Sequence, residues 1–282
     1  KGQNVIMLLI LNLSLVRWTK MVTLEDKFVF DLQGYIIIKN VLTEDEVAEI
    51  NEVCDRIFPR SYDEVENLKE EGSLRRTSRV SKWDPVCQRL IDHPGITPYL
   101  REFLGPTFRL DHDYCIFMKQ GGDDKSILHG GPETANGCQF YKHHNGTIRN
   151  GLSVLTFFFA DAGPGDGGFA CVPGSHKSNF LSDFPHDVRT FKRSEPYVVQ
   201  PVVKAGDALF FTEALVHGTL PWSADHERRT FLYKYSPGHI SYSQSYYNPN
   251  DYFEPTEQQK RILSPPSSGG RPVSLESKKS NN

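Results

Sequence analysis

Hydrophobic positions along the chain change their period once, and the change separates a helical first third from a stranded remainder. Residues 35–39 (Tyr-Ile-Ile-Ile-Lys) read as a short strand, and Thr43-Glu44-Asp45-Glu46 follows as a capping box, with Thr43 at the N-cap and Glu46 reaching back. Val47, Ile50, Val53, Cys54 and Ile57 then recur at helical spacing, which predicts an amphipathic helix packed on something larger. Asp84-Pro85 opens a second helix, and Thr97-Pro98 a third that stops at Gly105. From Thr107 onward Phe108, Leu110, His112, Tyr114, Ile116 and Met118 alternate with Arg109, Asp111, Asp113, Cys115, Phe117 and Lys119, the period of a strand. Further strands are predicted over residues 152–160, 168–172, 197–203, 208–212 and 230–235, punctuated by Gly and Pro. Many short strands after a helical start predict a mainly β protein with flanking helices: a double-sheet jelly roll with an N-terminal helical buttress against one sheet.

Composition narrows the picture. The chain has 282 residues, 38% hydrophobic and 12% aromatic, enough for one sizeable core, and residues 21–262 are expected to form one domain. Residues 263–282 turn to Ser, Pro, Gly and Lys and are expected as a disordered tail. The apolar run at residues 5–16 is too short for a membrane span and contains Asn12 and Ser14. It follows Lys1 as a secretory leader would, but no clear small-residue cleavage site comes after it, so residues 1–20 are expected as a leader or added extension outside the fold. With 32 basic against 35 acidic side chains there is no electrostatic footprint for nucleic acid or an anionic membrane, and a small molecule is the expected partner of a monomer or homodimer. Cys54, Cys87, Cys115, Cys138 and Cys171 are odd in number, far apart and form no CxxC pair, which favours a reducing, cytoplasmic setting.

Candidate chemistry gathers late in the chain. His217 follows the apolar strand containing Leu209, Phe210 and Phe211, and Arg228 comes eleven residues later, so a metal ligand and a carboxylate clamp could share one barrel mouth. Other landmarks are Gly34-Tyr35-Ile36-Ile37-Ile38 with its capped helix, Gly167-Gly168-Phe169, Pro173-Gly174-Ser175-His176-Lys177, Gly206-Asp207 and His217-Gly218-Thr219. In order and spacing, over roughly residues 32–238, these resemble the phytanoyl-CoA dioxygenase family of iron(II) and 2-oxoglutarate dependent oxygenases. The resemblance implies a cupin-like double-stranded β-helix that holds iron by a His-x-Asp pair and a distal histidine. His129 and His217 would be the two histidine ligands, and Arg228 would pair with the distal carboxylate of 2-oxoglutarate, with Thr219 adding a hydroxyl bond. Lys119 is a further candidate for that carboxylate, although a solvated strand end accounts for it equally well. His176 reads as a loop residue and no ligand.

The carboxylate is missing. The matching segment is Leu128-His129-Gly130-Gly131, so glycine stands where the family has aspartate, two residues after the first histidine and on the same strand face. Asp111 and Asp113 face away from His112, His143 and Asn145 flank a turn at Asn145-Gly146, and Glu133 reaches back only through a bend at Pro132. Three readings stay open. The first is a hydroxylase that decarboxylates 2-oxoglutarate to succinate with O2, with water or Glu133 at the gap. The second is a halogenase with a halide at Gly131, since iron(II) with the 2-oxoglutarate dianion is neutral and one halide restores the charge of an aspartate. The third is a binding protein without the metal. The loop over residues 132–150, with Tyr141, His143, His144 and Arg149, is expected to border the substrate pocket.

Overall fold

The computed structural model describes residues 21–57, 69–71, 74–121, 126–132 and 137–275. The expectations for residues 1–20 and for Glu133 therefore fall outside the described residues.

Thr23 caps helix α1 (Leu24–Gln33), its hydroxyl accepting from Asp26 N while the Asp26 carboxylate accepts from Thr23 N, a capping box that the sequence reading did not pick out. Strand β1 (Tyr35–Ile38) follows, then helix α2 (Glu44–Ile57), which carries the expected box: Glu46 N donates to Thr43 Oγ1 at 3.2 Å and Thr43 N to Glu46 Oε2 at 2.8 Å. Its predicted apolar stripe is the buried one, with Ile50, Val53 and Cys54 inside. Two short strands, β2 (Lys69–Glu71) and β3 (Leu74–Arg76), precede helices α3 (Pro85–Arg89) and α4 (Thr97–Leu104), each with proline in its first turn.

The remaining strands are β4 (Arg109–Met118), β5 (Ser126–His129), β6 (Tyr141–His144), β7 (Thr147–Asn150), β8 (Ser153–Phe158), β9 (Gly168–Cys171), β10 (Ala208–Thr212), β11 (His217–Leu220) and β12 (Arg228–Ser236), with helices α5 (His186–Arg189) before β10 and α6 (Glu257–Leu263) after β12. They form an antiparallel seven-stranded sheet in the order β1-β10-β8-β12-β4-β3-β2 and a smaller sheet β5-β11-β9, the two faces of a jelly roll. Alternation along the large sheet sorts its residues between two cores. Phe117, Leu155, Phe157, Phe210, Phe231 and Tyr233 pack towards the helices, whereas Tyr114, Met118, Val154, Phe158, Leu209, Phe211 and Leu232 fill the barrel interior with the smaller sheet.

Three expectations need correction. Residues 197–203 make only the isolated bridges Val199 to Cys171 and Val203 to Ala162, because Pro201 has no N–H to give a ladder. The loop over residues 132–150 is in part a hairpin: β6 and β7 pair in register across Asn145-Gly146, where Asn145 takes φ 49°. Residues 264–275, expected as disordered tail, fold back over the helices. Arg271, 9% exposed, donates to the carbonyls of Thr107, Arg261 and Ser264, and Ser274 N donates to Pro106 O. Residues 276–282 lie outside the described residues.

Phe210, fully buried, stacks on Phe30 at 5.4 Å and on Phe103 at 5.5 Å, so it joins the large sheet to the buttress. Phe210→Ala is expected to cost about 3–5 kcal/mol by cavity formation, read as a lower urea midpoint at unchanged slope.

Candidate metal centre

The site begins with a strand pairing. His217 opens β11 and His129 closes β5, and the two are direct partners in the antiparallel register, with ring centroids 4.4 Å apart. Each ring is held by its own backbone: Nδ1 of His129 lies 2.9 Å from Ile127 O and Nδ1 of His217 lies 2.7 Å from Leu215 O. A carbonyl only accepts, so both Nδ1 atoms carry the proton and both Nε2 atoms present a lone pair. Burial pushes the His217 pKa down to about 4, so that ring is neutral at pH 7, as a ligand must be. Phe211 at 4.7 Å and Phe169 at 6.2 Å shelter it, while His129 stands at the exposed rim.

Strand β12 supplies the charges. Arg228, its first residue, is 3% exposed and has no acidic partner among the described residues; Nη1 reaches only Met118 Sδ at 3.3 Å, and Nε is unsatisfied. Burial lowers its pKa to about 10, which still leaves the guanidinium charged at neutral pH. A buried, charged, unpartnered fork is costly unless an anion completes it. Thr219 is half-buried two residues beyond His217 on β11 and therefore on the same strand face.

Sequence reasoning missed Glu213. It lies in the turn between β10 and β11, 3% exposed, with Oε1 2.7 Å from Lys234 Nζ and 3.9 Å from His217 Nε2. Burial works to raise its pKa, but the Lys234 charge overrides this and brings it down to about 2, while Lys234 is held above its usual range. Gln139 Nε2 donates to the other carboxylate oxygen at 3.3 Å. The available signals were single charged residues within apolar runs, Glu213 in Phe-Phe-Thr-Glu-Ala-Leu-Val and Lys234 in Phe-Leu-Tyr-Lys-Tyr.

The gap after His129 has a backbone cause. Strand β5 ends at His129, and Gly130 and Gly131 follow with φ of +90° and +125°, so the alternation expected to place residue 131 beside His129 stops there. A side chain on residue 131 is opposed by that backbone strain; its Cβ would stand 2.8 Å from Leu181 Cδ1, a side-chain tip that can give way. The other candidate acids are engaged elsewhere: Asp113 accepts from Ser81 and Tyr247, and Asp111 from the backbone of Tyr242 and Ser243 while pairing with Arg109 and His112. Lys119 lies just past β4 and is exposed. His143 and Arg149 are exposed on the β6–β7 hairpin, whose Ile148 joins the helical-side core, and no described contact joins either to the histidine pair.

Comparison with known proteins identifies the family and the fold. The family model for phytanoyl-CoA dioxygenase (PhyH) matches residues 30–230, and the chain belongs to that family of iron and 2-oxoglutarate dependent enzymes. Among solved structures, HygX from Streptomyces hygroscopicus with nickel and 2-oxoglutarate bound is 23% identical, with a TM-score of 0.67 over 78% of this chain and 88% of that one. The carbocyclase SnoK from nogalamycin biosynthesis is 18% identical, with a TM-score of 0.59 over 91% of this chain and 94% of its own. AviO1 from Streptomyces viridochromogenes is 22% identical, with a TM-score of 0.56 over 74% and 92%. No curated protein sequence matches the chain. The fold is accordingly the cupin-like jelly roll of 2-oxoglutarate oxygenases.

Lys234→Met leaves the Glu213 carboxylate buried without its counter-ion and is expected to cost about 3–5 kcal/mol, whereas the double change Glu213→Gln with Lys234→Met is expected to lie within about 1 kcal/mol of the parent. Urea unfolding of the metal-free protein at pH 7 checks both.

Proposed function

We propose that this chain is an iron(II)- and 2-oxoglutarate-dependent oxygenase that hydroxylates an unactivated carbon of a small molecule, with O2 consumed and 2-oxoglutarate decarboxylated to succinate. One observation carries the reading: two imidazoles with free Nε2 atoms converge inside a barrel that also holds a buried guanidinium with no acidic partner among the described residues. That donor set fits the pair of groups, since neutral imidazole suits iron and an orphan Arg fork suits a carboxylate.

In this reading His129 and His217 hold the metal, and their Nδ1 bonds to backbone fix ring orientation and raise the basicity of Nε2. Arg228 binds the distal carboxylate of 2-oxoglutarate, and Thr219 adds its hydroxyl. Met118 and the apolar interior strip water from that guanidinium, which strengthens its hold on an anion. Phe211 and Phe169 keep bulk water from the His217 side. When bound, iron and 2-oxoglutarate supply, from O2, the oxidising power to take a hydrogen atom from carbon.

A cavity of about 230 Å³ at the far end of β4, lined by Arg79, Asp111, His112, Tyr242, Ser243 and Tyr247, is the natural seat for part of the substrate. None of its lining residues belongs to the histidine pair or to Arg228; its link to the centre is His112, the register partner of Lys234, which pairs with Glu213. Its polar lining suits a hydroxyl-rich molecule, and HygX has been solved with hygromycin B bound. Halogenation is the weaker reading, since a buried carboxylate, Glu213, already stands 3.9 Å from His217 Nε2 and could supply the charge a halide would bring. The five cysteines are free thiols, which supports a reducing, cytoplasmic setting, and among the described residues no helix is long and apolar enough to cross a membrane.

Anaerobic iron(II) with 2-oxoglutarate is expected to give a visible charge-transfer band, and oxygen then to yield succinate; His217→Ala is expected to lose both. Arg228→Leu is expected to keep the fold while needing at least a hundredfold more 2-oxoglutarate for the same band, about 3 kcal/mol of lost binding. A parent protein that is folded yet shows no band and makes no succinate would turn the assignment towards a binding module.

A further inference from the structure

We infer that Glu213 is the carboxylate of this metal centre, supplied from the turn before the distal histidine in place of an aspartate after the first one. The inference rests on the reading of His129 and His217 as metal ligands and goes beyond it.

The position argues first. Glu213 Oε1 is 3.9 Å from His217 Nε2, and both side chains are buried. Neighbouring ligands each about 2.1 Å from one ion stand about 3 Å apart, so an approach of about 1 Å brings Glu213 and His217 to ligand spacing. Among the described residues no three His, Cys, Asp or Glu side chains are close enough to hold an ion without such a shift. The turn carrying Glu213 is also pressed against the glycine pair: a Cβ on Gly130 would stand 2.8 Å from Glu213 O and 2.5 Å from Leu215 O. Gly130, the residue before the aspartate's position, thus packs directly on the turn that carries the glutamate.

The state of the carboxylate argues second. Lys234 Nζ stands 2.7 Å from Oε1 as an ion pair, and a carboxylate oxygen carries two lone pairs, so one ammonium contact leaves it room for a second cation. Gln139 steadies the other oxygen. A cation arriving at the imidazoles thus meets a carboxylate that folding has already buried and positioned, held by Lys234 on one oxygen and Gln139 on the other. Two neutral imidazoles alone leave the ion without a protein charge, and Glu213 provides it.

Cobalt(II) titration of the full-length protein, followed by its ligand-field spectrum and by the rise in Tm, tests this without turnover. Because Glu213→Gln alone strands the Lys234 charge and risks misfolding, the decisive variant is Glu213→Gln with Lys234→Met. It is expected to bind cobalt at least tenfold more weakly than the parent and with an altered spectrum. Lys234→Met alone is expected to show a larger cobalt-induced rise in Tm than the parent, since the metal becomes the counter-ion of Glu213. If the double variant matches the parent in affinity and spectrum while His217→Ala loses the site, Glu213 is only the partner of Lys234 and the inference is overturned with the function reading intact. A smaller rise in Lys234→Met than in the parent overturns it likewise. If His217→Ala binds cobalt as the parent does, the histidine assignment fails and this inference falls with it.

Discussion

The centre depends on one strand pairing, the antiparallel match of β5 with β11 that makes His129 and His217 direct partners. The side-chain period of a strand is two, so a slip of one residue would turn one imidazole to the other face of the small sheet. The register is defended from the other side as well. β11 pairs continuously with β9 from His217 to Leu220, and His217 Nδ1 is tied to the carbonyl two residues earlier. The rings are therefore positioned by main chain, which is stiffer than any side-chain packing could make them.

Charge is laid out along β12 on the same logic. Arg228 and Lys234 are six residues apart, both even-numbered on a strand whose odd positions Phe231, Tyr233 and Tyr235 face the helices, so both point into the barrel. Lys234 has an anion inside the protein and Arg228 has none among the described residues. One buried cation settled internally beside another with no acidic partner among the described residues is the physical ground for the proposed role of Arg228, because an unpaired buried charge is costly.

How much of this was legible in the sequence follows from how local each determinant is. The capping box at Thr43 and the stripe of α2 are properties of neighbouring residues and stand in the structure as expected, whereas the alternation of β4 changes phase at a bulge at Asp111, so that Phe108 and Leu110 share the helix-side core with Cys115 and Phe117. Family landmarks pointed to His129, His217 and Arg228, and the fold brings the two histidines face to face. Glu213 and Lys234 escaped notice because their meaning depends on a contact across 21 positions of chain, joining a turn to the middle of another strand. The spacing argument at Gly131 failed for a different reason. It assumed that the strand ran on past His129, and the left-handed backbone at the glycine pair ends it there.

That break decides between two ways of supplying one negative charge. Iron(II) with the 2-oxoglutarate dianion sums to zero, and a single further anion, from protein or solvent, restores the charge that the family's aspartate would bring. A halide needs a cavity beside Gly131 and no competing carboxylate. The buried Glu213 carboxylate is such a competitor, 3.9 Å from the distal histidine. Desolvating a halide would have to compete with a carboxylate whose desolvation was completed during folding, and an anion held in place by the chain also gains from pre-organisation. The same glutamate that makes the aspartate dispensable therefore removes the need for a halide, and Gly130 is better understood as the close-packing surface for that turn, with Gly131 held in a backbone conformation that disfavours a side chain.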